Sequence, residues 1–279
     1  MSRNSPGDAM TRTVWLAPMS AVGLVVLYVV VYVWQPGGRH LLSILSDTLW
    51  GSLAVLAAVF AFRASRMFEP RVPQRRAWLL FAIGIAMGAL AEFLWAYQQV
   101  FLGEEAPYPS PADAFWVIGY IPLMASMAIQ YRALGLAPRL RLRLIALPIY
   151  LLLLVATFVI VLQPILSNPG SGNGLQRFLN LFYPIADLGL AFIATLSLLV
   201  FWGGLAGRPW LYIVISMLLF AVADLAFSYG VSNGTYRVGG NLLSGVADVS
   251  YLAAYAAAAV GAHRQATLSL PPVDDDQGA

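Results

Sequence analysis

The chain has 279 residues, of which 60% are hydrophobic and 10% are charged, whereas a soluble domain carries about 25% charged residues. This composition excludes a soluble globular protein and leaves no room for a soluble domain of ordinary size. Cysteine and lysine are absent, which excludes disulfides, thiol nucleophiles, thiolate metal sites and lysine-based covalent catalysis. The net charge of +3 does not indicate nucleic-acid binding, because the arginines flank apolar segments.

Eight segments are apolar over the roughly 20 residues that a helix needs to cross a bilayer. They are 14–34, 44–63, 77–99, 112–133, 143–163, 179–202, 210–230 and 242–262. The sequence therefore predicts an all-α, polytopic membrane helix bundle with eight transmembrane helices. We expect one transmembrane domain over 14–263, a cytoplasmic N-terminal tail over 1–13 and a disordered, acidic cytoplasmic tail over 264–279.

The arginines are distributed unevenly between the two sides of these segments. Thirteen of them lie in the termini and in the connections after segments two, four and six, and the other side has only Arg39, Arg177 and Arg237. Positive residues favour the cytoplasmic side. We therefore predict a multi-pass protein of the bacterial inner membrane with both termini in the cytoplasm, which requires an even number of spans.

Segments two to four, about 44–133, have a weaker copy in segments six to eight, about 179–262. One segment separates the two units, so they share an orientation, and we predict a parallel repeat of three helices about an axis along the membrane normal. The matching positions are Asp47 with Asp187, Glu92 with Asp224, Asp113 with Asp248, Trp116 with Tyr251, and Tyr120 with Tyr255.

The six acids among these positions lie in or at the edge of the segments, and each follows Ala or Ser. A carboxylate in hydrocarbon costs several kcal/mol, so such residues usually face a bundle interior or a wet cavity. No basic residue lies in the interior of the segments to pair with them. Crowded carboxyls of this kind cannot all stay charged, so we expect them to take up protons or to bind a cation.

Helix capping is the alternative for four of the acids, since Asp47, Asp113, Asp187 and Asp248 lie near predicted helix starts. Glu92 and Asp224 lie near predicted C-termini, where the helix dipole disfavours an acid, and this pair favours a polar-network or ligand role. The aromatic residues of the repeat follow their aspartates by three and seven positions, on the same helix face. All ten matching residues are therefore candidate ligand-binding residues, around a cavity in the outer half of the bilayer. Tyr97 and Tyr229 are further candidate hydrogen-bond partners of the acids.

Metal and cofactor chemistry is not indicated by the sequence. The two histidines, His40 and His263, are too few and too far apart for a catalytic zinc site, which needs three protein ligands. Gly84 and Gly88 form a G-x-x-x-G pattern that indicates helix packing. We expect neither a metal nor a cofactor.

The stretch 78–131 resembles the polytopic N-terminal membrane regions of bacterial diguanylate cyclases and sensor histidine kinases. The similarity is carried by an acid and a Trp late in one span, by the loop YPSPAD at 108–113 and by the Tyr-Ile-Pro at 120–122 in the next span. It implies a sensory or ligand-binding module. Residues 264–279 contain no output domain, so we expect signalling to require a cytoplasmic or membrane partner protein.

A weaker similarity is to eight-span lysoplasmalogenase-like proteins, which also place acids in two related halves. It implies Glu92, Asp224 and Asp248 as catalytic acids of a membrane lipid hydrolase. A cation- or proton-coupled transporter is a third alternative, although acids nearer the midplane would be expected there. Of these we favour a non-catalytic module that contacts membrane lipids and takes a small-molecule or cationic ligand from the outer side.

Overall fold

The structure is a computed structural model that describes residues 6–103, 108–133, 140–167, 173–200 and 207–268. Within these residues it is built from helices and short connections, with no strand. The helices are α1 (Pro6–Trp34), α2 (Gly38–Arg66), α3 (Pro73–Ala96), α4 (Pro111–Ala133), α5 (Leu140–Thr157), α6 (Gln163–Ser167), α7 (Gly174–Val200), α8 (Gly207–Ser232) and α9 (Leu242–Ala266). Single π-helical turns extend α3 over Tyr97–Phe101 and join α5 to α6 over Phe158–Leu162.

Eight of these helices, counted over the described residues, are long and apolar enough to cross a membrane. They coincide with the eight predicted segments, so the all-α class and the eight candidate spans are confirmed. The helices are longer than the apolar runs: α2 begins at Gly38 rather than at 44, and α7 at Gly174 rather than at 179. The predicted N-terminal tail over 1–13 includes the first residues of α1, whereas most of the predicted C-terminal tail lies outside the described residues.

Local sequence explains several of the helix boundaries. Gly37 and Gly38 both have positive φ, at 84° and 79°, which lets the chain reverse within a few residues between α1 and α2. Pro73 occupies the first turn of α3, where its missing N–H costs nothing. The side chain of Asn241 caps α9 by accepting a hydrogen bond of 2.9 Å from the Ser244 N–H.

Six of the helices close into a ring. α2 packs against α3, α3 against α4, α4 against α7, α7 against α8, α8 against α9, and α9 back against α2. α1 lies outside this ring against α9, and α5 lies against α7. The ring leaves an interior that all six helices border.

The two ends of the ring differ in charge and packing. One end, called here the arginine-rich end, carries the basic residues of the helix termini: Arg63, Arg66, Arg75, Arg76, Arg132, Arg208 and Arg264. Near it, Trp78, Phe81 and Trp210 pack with small residues of α2 and α9 into the largest apolar core. The Trp78 and Trp210 ring centroids are 5.8 Å apart. The opposite end is called the cavity end.

Candidate functional site

The ring encloses a cavity of about 110 Å³. Side chains from α2, α3, α4, α7, α8 and α9 line it, and Tyr108 and Tyr236 reach it from the connections after α3 and α8. Four acids line it: Glu92, Asp113, Asp187 and Asp224. Among the described lining residues there is no Arg, Lys or His. The cavity wall is therefore acidic and aromatic, without a compensating protein cation.

The cavity is closer to the end of the bundle remote from the arginines. Tyr108 and Tyr236 belong to connections at the cavity end, where α3 and α8 finish and α4 and α9 begin. On the other side the cavity extends as far as Gly84 and Met217, near the middle of α3 and α8. The polar interior and the apolar core thus occupy different halves of the same helices.

Tyrosine hydroxyls are the main hydrogen-bond donors to the buried carboxyl groups. Five of the six acids accept at least one hydrogen bond from a tyrosine. The bonds are Tyr255 to Glu92 Oε1 at 2.8 Å, Tyr183 to Asp113 Oδ1 at 2.8 Å, Tyr120 to Asp187 Oδ1 at 2.6 Å, Tyr32 to Asp248 Oδ2 and Tyr236 to Asp248 Oδ1 at 2.8 Å each, and Tyr251 to Asp224 Oδ1. Since tyrosine is a neutral donor, these bonds reduce the cost of burying the carboxyls without cancelling their charge.

Asp187 and Asp224 lie on either side of one hydroxyl. The Tyr120 oxygen is 2.6 Å from Asp187 Oδ1 and 3.5 Å from Asp224 Oδ2. The carboxyl groups of Asp187 and Asp224 also share a hydrogen bond with each other, which requires a proton on one of them. Because both residues line the cavity, they form one carboxyl pair at its wall.

Eight of the ten predicted ligand-binding residues line the cavity: Glu92, Asp113, Trp116, Tyr120, Asp187, Asp224, Tyr251 and Tyr255. The other two, Asp47 and Asp248, do not line it. Asp248 is fully buried between Tyr32 and Tyr236. Asp47 is 3% exposed, and neither of its carboxyl oxygens is hydrogen-bonded within the described residues. Ligand binding by the eight residues stays a prediction.

The structure separates the acids that cap helices from those that do not. Asp113 lies in the first turn of α4, where its Oδ2 accepts a hydrogen bond of 2.6 Å from the Ser110 N–H. Asp47 and Asp187 lie well inside α2 and α7, and Asp248 lies in the second turn of α9. The capping alternative is therefore wrong for these three, because their helices begin earlier than the apolar runs suggest.

Two of the suggested hydrogen-bond partners do not reach the acids. Tyr97 is 54% exposed and Tyr229 is 41% exposed. Each follows its acid by five residues, which on a helix of 3.6 residues per turn is a different face. The prediction for Tyr97 and Tyr229 is thus wrong.

Several lining residues were not assigned to the site from sequence. They are Trp50, Trp95, Tyr108, Tyr183, Phe220, Phe227 and Tyr236. Trp50 follows Asp47 by three positions and Tyr183 precedes Asp187 by four, so the helix-face rule applied to every acid would have found both. Tyr32 of α1, which donates to Asp248, had no such signal, because α1 stands outside the proposed repeat.

The aromatic side chains of the wall contact one another. The Trp95 and Trp116 ring centroids are 5.8 Å apart, and those of Phe227 and Tyr236 are 4.7 Å apart in an edge-to-face arrangement. Such pairs add stability beyond burial alone. The wall is therefore a connected aromatic surface broken by carboxyl groups.

Tyr108 and Tyr236 stay protonated donors at the cavity end. Burial, followed by the nearby Asp113 carboxylate, raises the pKa of Tyr108 above its ordinary value. Burial, followed by the Asp248 carboxylate, raises the pKa of Tyr236 well above its ordinary value. Both hydroxyls consequently donate hydrogen bonds at physiological pH, and Tyr108 donates to Asn180 Oδ1 at 2.7 Å.

The site offers carboxyl groups, aromatic faces, tyrosine hydroxyls and the indole N–H of Trp50, which is unpaired in the part of the chain that the structure describes. Within the described residues, no cluster of three or more metal-ligating side chains is positioned to hold a metal ion. No Ser, Thr, Cys or His is among the described residues that line the cavity. A molecule in the cavity would therefore meet both hydrogen-bond acceptors and donors, and any acid–base chemistry there would fall to the carboxyls.

Comparison with known proteins identifies no relative of this chain: no family model matches it, and neither a curated protein nor a solved structure matches it significantly.

Proposed function

We propose that the chain is a membrane-embedded sensory or ligand-binding module whose ligand occupies the cavity between the six ring helices. The observation that carries this proposal is the acidic wall: Glu92, Asp187 and Asp224 are buried, line one cavity, and have no protein cation beside them. Ionisable residues inside a membrane are costly and usually serve a function. A purely structural interior would be cheaper to build from apolar side chains, as the arginine-rich half of the same ring is.

The second part of the proposal concerns orientation. We propose the bacterial inner membrane, with both termini in the cytoplasm and the cavity in the outer half, because the basic residues flank the opposite helix ends. Reporter fusions at Arg71 and Ala279 should then report the cytoplasm, and fusions at Gly103 and Asn173 the outside. An outside signal at Ala279 contradicts this topology.

The internal repeat remains part of the proposal as well. In the proposed repeat, α2 corresponds to α7, α3 to α8 and α4 to α9. The α2–α9 contact is then equivalent to the α7–α4 contact, and both contacts are present. In the same correspondence, the hydrogen bond that Tyr255 donates to Glu92 is equivalent to the 3.5 Å contact between the Tyr120 hydroxyl and Asp224. Both relations support a duplicated three-helix unit.

Signalling through a partner protein rests on the resemblance of 78–131 to sensor membrane regions, and it is proposed on that ground. A lipid hydrolase of the lysoplasmalogenase type is the second candidate, favoured by the adjacent carboxyls of Asp187 and Asp224, which suit general acid–base chemistry. Of the three acids that this alternative implies, Asp248 lies outside the cavity lining. That placement weakens the hydrolase relative to the binding module.

Ligand screening of the full chain in lipid nanodiscs tests the proposal. A library of small molecules of positive, neutral and negative charge should contain compounds that raise the thermal midpoint saturably. Leu190→Phe adds volume at the cavity wall and should abolish that increase while the protein remains monodisperse. If no compound binds, and ether or ester lysophospholipids are instead hydrolysed in a way that Asp224→Asn abolishes, the hydrolase replaces the binding module.

A further inference from the structure

One hydrogen-bond donor of the cavity wall has no acceptor within the described chain. Trp50 of α2 lines the cavity and is 4% exposed. Its indole N–H is buried and donates to no described residue. Leaving a buried donor without an acceptor costs free energy, so a ligand that supplies an acceptor at this point of the wall gains a hydrogen bond.

Most other donors of the wall are already engaged. Six tyrosines line the cavity, and each hydroxyl donates to a carboxyl group or, in the case of Tyr108, to Asn180. The indole N–H of Trp116 donates toward Glu92 and the Tyr255 oxygen. Trp50 differs from these side chains because its donor is available to a ligand.

The donor and the carboxyl groups together restrict the charge of the ligand. An ammonium group has no acceptor and would leave the Trp50 N–H unpaired. An anion would accept from Trp50, but four carboxyl groups line the cavity and the described wall contributes no Arg, Lys or His. Burying an anion without a cation beside it is costly. An uncharged molecule that carries an acceptor oxygen satisfies both conditions.

The rest of the wall suits the carbon atoms of such a molecule. The Trp50 ring lies 5.9 Å from the Tyr251 ring in an edge-to-face arrangement, and Phe220 also lines the cavity. The cavity volume of about 110 Å³ is smaller than the roughly 150 Å³ cavity that accommodates benzene. The part of the ligand inside the cavity is therefore no larger than benzene.

We propose that the cavity binds a small uncharged molecule through an acceptor oxygen that takes a hydrogen bond from the Trp50 indole N–H, with the carbon atoms of the molecule against the aromatic wall. This inference rests on the proposed function, because it specifies the ligand class of the same cavity. It makes Trp50 the residue that recognises the oxygen.

Nuclear magnetic resonance of the indole N–H groups tests the ligand class. The full chain with isotope-labelled tryptophan, in lipid nanodiscs at pH 7, is titrated with 2-butanone and with 2-methyl-1-butene, which has the same shape and no acceptor. 2-Butanone should move the Trp50 indole proton downfield saturably, because that proton gains an acceptor, and 2-methyl-1-butene should not. Propionate and n-propylammonium, of similar size and opposite charge, should give no saturable shift.

A matched pair of substitutions tests the residue. Trp50→Phe keeps an aromatic ring and removes the N–H, and the indole signals of Trp95 and Trp116, which also line the cavity, then report binding. The affinity for 2-butanone should fall about fivefold or more, as expected for one lost hydrogen bond, and that for 2-methyl-1-butene less than about twofold. Trp210→Phe is the control, since Trp210 is also 4% exposed but packs in the apolar core at the arginine-rich end. It should change either affinity less than about twofold.

The outcomes separate this inference from the proposed function. If 2-butanone shifts the Trp95 and Trp116 signals without moving the Trp50 proton downfield, the indole N–H does not recognise the ligand, and the inference fails while a ligand-binding cavity remains. Binding of propionate or n-propylammonium at the affinity of 2-butanone also overturns it, as does equal weakening by Trp50→Phe and Trp210→Phe. If no probe shifts any of the three signals, the inference is wrong, and the proposed function is then decided by the wider screen. The comparison of probes on the unaltered chain decides the ligand class even if a substituted protein misfolds.

Discussion

The two halves of the ring use the same helices for opposite purposes. In the arginine-rich half, Trp78, Phe81 and Trp210 pack against alanines, and the small gap beside them has no room for a water molecule. In the cavity half, Glu92 and Asp187 border a cavity of about 110 Å³. Close packing is what gives an interior its stability, whereas an open acidic interior costs stability. The first half therefore contributes most of the stability of the fold, and the second half is where we propose that a ligand binds.

The largest expected effect comes from breaking the packed half. Trp78→Ala should lower the free energy of unfolding by about 3–5 kcal/mol, because the lost ring leaves a void among buried neighbours. Titration with SDS, followed by circular dichroism, measures this change. Phe101→Ala is the control, since Phe101 is 77% exposed, and its effect should stay within about 0.5 kcal/mol. A similar loss for both substitutions would remove the distinction between core and surface on which the comparison depends.

A smaller effect is expected from two substitutions at Glu92, which should differ in their effect on the unfolding free energy but not in their effect on ligand binding. Glu92→Ala leaves the buried Tyr255 hydroxyl without its acceptor and should cost about 1–3 kcal/mol of unfolding free energy. Glu92→Gln keeps an acceptor oxygen and should leave stability nearly unchanged. Both substitutions should weaken binding of the compounds that the screen in lipid nanodiscs identifies. Full affinity in the folded Glu92→Gln protein would show that this carboxyl does not serve the ligand.

The smallest effect concerns one tyrosine hydroxyl. Tyr183→Phe removes the donor to Asp113 Oδ1 and should lower the unfolding free energy by about 1 kcal/mol. Tyr229→Phe provides the comparison at an exposed position and should change it by less than about 0.5 kcal/mol. Equal values from SDS titration would mean that the hydrogen bonds of the cavity half contribute nothing measurable to the fold.

Sequence reasoning succeeds here where one physical rule dominates. The need for about 20 apolar residues per span located all eight candidate spans of the described residues. Helical periodicity predicted that Trp116 and Tyr120 lie on the same face as Asp113. It failed where the start of an apolar segment was taken as the start of a helix. α2 and α7 begin earlier than their apolar segments, at Gly38 and Gly174. Acids that were weighed as caps therefore lie inside their helices.

Other contacts were beyond sequence reasoning because they join distant segments. The bond from Tyr32 to Asp248 spans 216 positions and links a helix outside the ring to a helix within it. Nothing in the local pattern of α1 distinguishes this tyrosine from one at the membrane interface. The pairing of Asp187 with Asp224 around Tyr120 likewise depends on how α4, α7 and α8 meet.

In the proposed orientation, small solutes should reach the acidic cavity from the outer side of the membrane. Because the chain contains no cysteine, single thiols test it directly. Phe227→Cys places a thiol on the cavity wall, and Leu242→Cys places one at an 86% exposed position at the start of α9.

Membrane-impermeant thiosulfonates of equal length, one an ethyltrimethylammonium and one an ethylsulfonate, are added outside intact cells, and the two reaction rates are compared at each position. At Phe227→Cys the ratio of cationic to anionic rate should exceed the ratio at Leu242→Cys by about tenfold or more, because a cleft of one sign concentrates the opposite charge. Equal ratios at the two positions, or no reaction of the Phe227→Cys thiol with either reagent, would contradict the account.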